Sequence, residues 1–102
     1  MSYTIQFTKP AQRDLREIGD CLHRAAGNSV AEWWIEEIIA KTETLRFMPT
    51  RQRERVELMA GVRAVSVGNY LVFYCVIEDT VSILRVVHSS RNITAKLFSN
   101  FR

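Results

Sequence analysis

Apolar and polar residues alternate at the start of the chain. Tyr3, Ile5 and Phe7 are apolar and Thr4, Gln6 and Thr8 polar, the period of a short strand with one face inward. The period changes at Thr8-Lys9-Pro10, where proline suits a first helical turn. Ala11, Leu15, Ile18, Leu22 and Ala25 then recur at three- and four-residue steps, so a helix with one apolar stripe is predicted. Gly27-Asn28 is a stop signal, and Ser29 with Glu32 three residues on reads as a capping box opening a second helix. Its buried side is expected at Val30, Trp33, Ile38 and Leu45, and Pro49 ends it. Adjacent helical residues stand about 100° apart, so one of Trp33 and Trp34 belongs to the core and the other is partly exposed. The join AAGNS is short, which implies an antiparallel helical hairpin.

Neither helix can bury its stripe alone, and a sheet is expected after the aperiodic connection MPTRQRERVELMAG. Val62 to Val67 is strand-like, Gly68-Asn69 a turn, Tyr70 to Ile77 a nearly unbroken β-favouring run, Glu78-Asp79 a second turn and Val81 to Val87 the last strand. Short turns make these neighbours antiparallel. LVFYCVI is apolar on both faces and should be central. The fold class is therefore α+β: an N-terminal strand, a helical hairpin, then a three-stranded antiparallel meander, all in one domain spanning residues 1–102. With the first strand at an edge, the hairpin covers one face of the sheet, and the other asks for a tail or a partner.

Composition narrows the setting. Apolar residues at 47% and charged ones at 25% are ordinary for a soluble globular protein. No apolar run is long enough for a bilayer and MSYTIQFTKP lacks the features of a signal peptide, so a cytoplasmic location is expected and no membrane partner. Cys21 and Cys75 each occupy an apolar place in a periodic pattern and read as buried free thiols. No second Cys or His stands at ligand spacing, so neither a metal nor another cofactor is expected. The net charge of +3 is unevenly spread: residues 85–102 carry four basic side chains and no acid. Such a stretch favours an acidic protein or a nucleic acid as partner, or is a solvated basic tail.

The chemistry centres on ILRVVHSSRN, residues 83–92, a strand pattern interrupted by Arg85 and ended by His88. Arg85 either pairs with a carboxylate or lays its stem on the sheet with its head in water; alternatively Arg85, His88 and Arg91 present donors and a titratable ring to an anion. Arg63 also sits inside a strand pattern. Two arginines on nearby strands repel unless an anion or carboxylate lies between them, and neither strand contains an acid. Tyr74 is first a strand residue and second a candidate contact. A nuclease would need an acid, a base and cations on the phosphate; His88, Tyr74, Glu54 and Glu57 are the titratable candidates, with Arg63 and Arg85 as cations.

The stretches YTIQFTKPAQRDLREIGDCL, AEWW, LRFMP, GVRAVSVGNYLVFYCV and VSILRVVHSSRN, in that order, resemble the ParE/RelE superfamily of toxins from type II toxin-antitoxin pairs. The aromatic-ended strand before A-x-x-D-L-x-x-I, the G-x-R before G-N-Y, and R-V-x-H are its most specific pieces, and they look closer to the ParE branch. That resemblance implies the same fold, a cognate antitoxin that blocks the working surface in a toxin-antitoxin hetero-oligomer, and DNA gyrase as the target of growth inhibition. Arg63, Tyr74, Arg85, His88 and Arg91 are then the target-binding residues. Two alternatives stay open: a RelE-like endoribonuclease acting on ribosome-bound mRNA through Arg63, Arg85, His88 and Glu57, and an inactive homologue that only binds antitoxin. KLFSNFR departs from the nucleolytic members, because it offers no tyrosine or acid-base pair of the kind several of them carry.

Overall fold

The computed structural model describes residues 2–101; Arg102, one of the four terminal cations, lies outside them. Strand β1 (Thr4–Phe7) leads into helix α1 (Lys9–Ala26) through Thr8. The Thr8 side-chain oxygen accepts the Ala11 N–H at 3.2 Å, as an N-cap should. Its hydroxyl also donates to the Ile83 carbonyl at 2.9 Å, so one side chain ties strand end, helix start and a distant strand together. Gly27, at φ 92°, is the whole connection between α1 and α2 (Asn28–Glu43).

The second helix departs from expectation at both its start and its inner face. It opens at Asn28, before the expected capping box, and Gly27 at its N-cap has no side chain to donate or accept. The Asn28 amide instead reaches Glu32 at 3.0 Å. Ala31, Ile38, Thr42 and Leu45 are buried, with Trp34 packed against them, whereas Val30 and Trp33 are 39% and 54% exposed. Ile38 and Leu45 are buried as expected; only the first half of the stripe moves one position along, from Val30 and Trp33 to Ala31 and Trp34, and the cause is tertiary. Trp34 is drawn inward because Gly68 leaves room for it: a Cβ at Gly68 would lie 2.5 Å from the Trp34 ring. Trp34 also meets Tyr70 edge-on, with ring centroids 5.5 Å apart.

The sheet comprises β1, β2 (Arg63–Val67), β3 (Tyr70–Ile77) and β4 (Thr80–His88) in the order β1-β4-β3-β2. The meander is antiparallel, and β1 joins it parallel to the first half of β4, from Thr4↔Thr80 to Phe7↔Ile83. Tyr74 pairs with Ile83 and Phe73 with Arg85, leaving Leu84 as the extra residue of a bulge.

The hairpin covers one face, over a core that includes Ile38, Val72, Tyr74, Val81, Ile83 and Val86. The opposite face, expected to need a tail or a partner, is covered by the chain's own C-terminal 3-10 segment, Ala95–Phe101, together with Leu58 and Val62. Phe98 is fully buried and packs edge-on against Phe73, centroids 5.2 Å apart. Both cysteines are free, but burial holds for neither as predicted: Cys21 is exposed and Cys75 only half-buried. Burial still pushes the Cys75 thiol up. Among the described residues no helix is long and apolar enough to cross a membrane.

Gly68→Ala tests the seat of Trp34. The left-handed backbone, φ 57°, and the ring contact both oppose a Cβ, so a loss of about 1–3 kcal/mol is expected in a urea titration followed by tryptophan fluorescence.

Candidate functional site

Pairing between β1 and β4 stops at Phe7↔Ile83, so α1 rather than a strand runs beside the second half of β4. There Asp14 of α1 is 5% exposed and does the work of the missing strand. Its Oδ2 accepts the Val86 backbone N–H at 2.9 Å and Arg85 Nε at 2.7 Å, while Oδ1 accepts Arg85 Nη2 at 2.9 Å. The third guanidinium nitrogen, Nη1, donates to the Leu97 carbonyl at 3.1 Å. A buried ion pair is tolerable only when geometry is good and the remaining groups are hydrogen-bonded, and both conditions are met. The hydrogen bond to Asp14 raises the Arg85 pKa further against the opposing effect of burial.

Of the alternatives open for Arg85, the carboxylate partner is the one found, and Arg63 likewise has partners within the chain. Arg63 lies two strands from Arg85, opposite Tyr74. Its Nη1 donates to the Thr50 carbonyl at 3.4 Å and to that of Gln52, and its Nη2 lies 3.9 Å from Glu54. Tyr74, expected as a target contact, has no exposed surface, and its hydroxyl donates to the Pro49 carbonyl. Burial raises that phenol's pKa. Arg63 and Tyr74 thus form one cross-strand pair that hangs segment 49–54 on the sheet. The missing signal was Asp14 itself: an acid between Ala11 and Ile18, at i−3 and i+4 on the apolar side of α1, is a residue that needs a buried partner.

The remaining candidates stay at the surface. His88 Nδ1 accepts the Ser90 N–H at 3.0 Å and lies 2.7 Å from Ser90 Oγ, a geometry that puts the ring hydrogen on Nε2. The His88 ring stands edge-on to Tyr70, centroids 5.3 Å apart. Arg91 is exposed, with its backbone N–H on the His88 carbonyl at 3.0 Å. Glu57 is exposed on the arginine-rich connection, where a 2.8 Å hydrogen bond from Arg55 lowers its pKa.

These residues form two groups. His88 is opposite Tyr70 and Arg63 opposite Tyr74, which separates them by roughly 13 Å along β3 at about 3.4 Å per residue. Arg85, His88 and Arg91 gather beside α1; Arg63, Tyr74 and Glu57 belong to the β2 side with the arginine-rich connection. Two clefts flank the Asp14–Arg85 pair and share Asp14, Glu17 and Arg91. One, about 270 Å³, adds Pro10, Arg13, Arg85 and Asn100. The other, about 320 Å³, adds Ile18, Cys21, Tyr70, Val86, Val87 and His88. Arg13 and Glu17 were not singled out in sequence, and Ile18 only as part of the apolar stripe, because helix periodicity alone does not say what a helix lies beside. Among the described residues no three His, Cys, Asp or Glu side chains gather to hold a metal ion.

Residues 5–93 match the family model described as the ParE toxin of the type II toxin-antitoxin system parDE. The chain is 30% identical over 98 residues to Toxin ParE1 of Mycobacterium tuberculosis, covering 95% of this chain and 100% of that protein. It is also similar in structure to a chain of the chromosomal ParDE toxin-antitoxin system of P. aeruginosa, with TM-score 0.76, 20% identity and coverage of 85% of this chain and 96% of that one. A chain of the RelBE2 toxin-antitoxin complex of Mycobacterium tuberculosis superposes with TM-score 0.67 at 24% identity, covering 89% and 95%.

Removing one side of the buried pair strands the other. Asp14→Ala and Arg85→Ala are each expected to cost about 3–5 kcal/mol in chemical denaturation. The double variant Asp14→Ala/Arg85→Ala should lose far less than the two costs added together, which a double-mutant cycle reads directly.

Proposed function

The chain belongs to the ParE toxin family of type II toxin-antitoxin systems, and on that basis we propose that it arrests growth by acting on DNA gyrase and is neutralised by a cognate antitoxin. Similarity to toxin chains from a ParDE system and a RelBE2 complex supports the antitoxin partner. The observation that favours gyrase over mRNA is the commitment of Arg85. A ribonucleolytic site needs a cation free to take a phosphate, with an acid and a base within hydrogen-bond reach of the same phosphate.

Arg85 spends all three guanidinium nitrogens on Asp14 and Leu97. Arg63 faces backbone carbonyls of its own chain, and roughly four strand residues, about 13 Å, separate its register from that of His88. Glu57 lies away on the connection with Arg55. The groups an RNA-cutting mechanism would recruit are thus engaged elsewhere or apart. A binding toxin needs only a surface, and Arg91 and His88 supply its polar part.

Purified toxin added to gyrase, relaxed plasmid and ATP is expected to abolish supercoiling and, after denaturation of the enzyme, to release linear DNA from trapped cleavage complexes. Supercoiling that proceeds unchanged with toxin that still arrests growth sinks the reading. Mapping of mRNA 5′ ends in the same cells gives the second readout: codon-phased cuts would assign the endoribonuclease instead.

A further inference from the structure

A sheet edge without a neighbour offers its backbone to any passing strand. The second half of β4 is such an edge, since β1 leaves it after Ile83, and part of its backbone is already taken. The Val86 N–H is taken by Asp14 and the His88 carbonyl by the Arg91 N–H. What stays open is a groove of side chains between this half-strand and α1, made of the two clefts that flank the Asp14–Arg85 pair.

The groove combines an apolar wall with unmatched cations. Ile18, Tyr70, Val86 and Val87 line the larger cleft. Arg13 lines the polar one and Arg91 both, and among the described residues neither guanidinium makes an ion pair or a hydrogen bond. We propose that this groove is the seat of an acidic, amphipathic segment of the antitoxin, held by side-chain anchors rather than by strand addition. An apolar residue of that segment packs on Ile18 and Tyr70, and flanking carboxylates meet Arg13 and Arg91. The proposal rests on the toxin-antitoxin reading above and adds to it the location and the mode of docking.

Charge and shape select this occupant over a nucleic acid. With Asp14 neutralised by Arg85, Glu17 is the open carboxylate lining both clefts, and a continuous phosphate backbone would run against it. An isolated carboxylate beside an apolar anchor avoids it and matches the planar donor fork of an arginine. With Arg85 neutralised internally, Arg91 and Arg13 are the cations left to face outward beside β4. The wall is also rigid. Asp14 and Arg85 are fixed by hydrogen bonds to β4 and to the C-terminal segment, so the cost of ordering the toxin's side of the interface is small.

The test uses full-length toxin and the protein encoded by the adjacent reading frame, with affinity measured by titration calorimetry. Arg13→Glu and Arg91→Glu are each expected to weaken binding on the order of tenfold or more. Arg16→Glu makes the same charge change on α1 outside both clefts and should alter affinity less than about threefold. Cys21→Trp, at an exposed helix position, should block the larger cleft by bulk and also weaken binding, while Cys21→Ser binds normally. Unchanged circular dichroism and melting confirm that the variants are folded.

Wild-type affinity in Arg13→Glu, Arg91→Glu and Cys21→Trp overturns the seat while leaving the toxin-antitoxin reading intact. Equal weakening by Arg16→Glu overturns it too, by showing diffuse attraction. Groove variants that keep the antitoxin but lose gyrase inhibition would assign the groove to the target and overturn the antitoxin seat. If the wild-type toxin binds no neighbouring product at all, the broader reading fails and this one with it.

Discussion

One carboxylate determines where the helical layer meets the sheet. Asp14 caps the β4 backbone at Val86 and holds two nitrogens of Arg85, whose third reaches the C-terminal segment at Leu97. Helix, strand and tail therefore share a single polar knot inside an apolar interface. Apolar packing alone does not specify position along a strand, since one aliphatic contact substitutes for another. A buried ion pair does, because a shift of one residue would leave a carboxylate, a guanidinium and an amide unsatisfied together. The Leu84 bulge belongs to the same arrangement, since it falls immediately before Arg85 where β4 loses β1 as its neighbour.

A second anchor works on the other side of the sheet by different means. Arg63 and Tyr74, cross-strand neighbours on β2 and β3, donate to carbonyls of Pro49, Thr50 and Gln52. A segment rich in arginine, with only a 3-10 turn at Pro49–Arg51 and a single bridge at Glu54, is held in place this way. Both strand arginines thus serve the fold, and the outward-facing chemistry passes to their neighbours: Arg91 and His88 just beyond β4, and Arg13 on the adjoining helix. The two groups differ in surroundings. Arg85 and Tyr74 are enclosed, while Arg91 and His88 lie where a partner can reach them.

The sequence carried the order of elements well because each signal was local. Alternation at Tyr3 to Phe7, the Pro10 start, the Gly27 break and the turns at Gly68-Asn69 and Glu78-Asp79 depend on neighbours within a few residues. Trp34 was harder to place: the pair Trp33-Trp34 satisfies the helical period either way, and only Gly68, thirty-four positions later (68 − 34), decides which ring turns inward. The site was harder still. A carboxylate partner for Arg85 was open from sequence but could not be named, because the acid sits 71 positions away (85 − 14) in a helix whose contact with β4 no local pattern announces. A tail or a partner was expected on the second sheet face, but which of the two was not legible, as KLFSNFR shows no regular period and forms a 3-10 segment rather than an α-helix.

The parallel pairing of β1 with β4 has a kinetic consequence. Thr4 finds Thr80, seventy-six positions away (80 − 4), so the first strand made during synthesis has to wait for the last. Until then the α1–α2 hairpin has no sheet beneath it, and Asp14 is without Arg85. Long-range closure of this kind slows folding relative to chains built from local contacts. The groove beside β4 comes into being only with that closure, and the topology places it late.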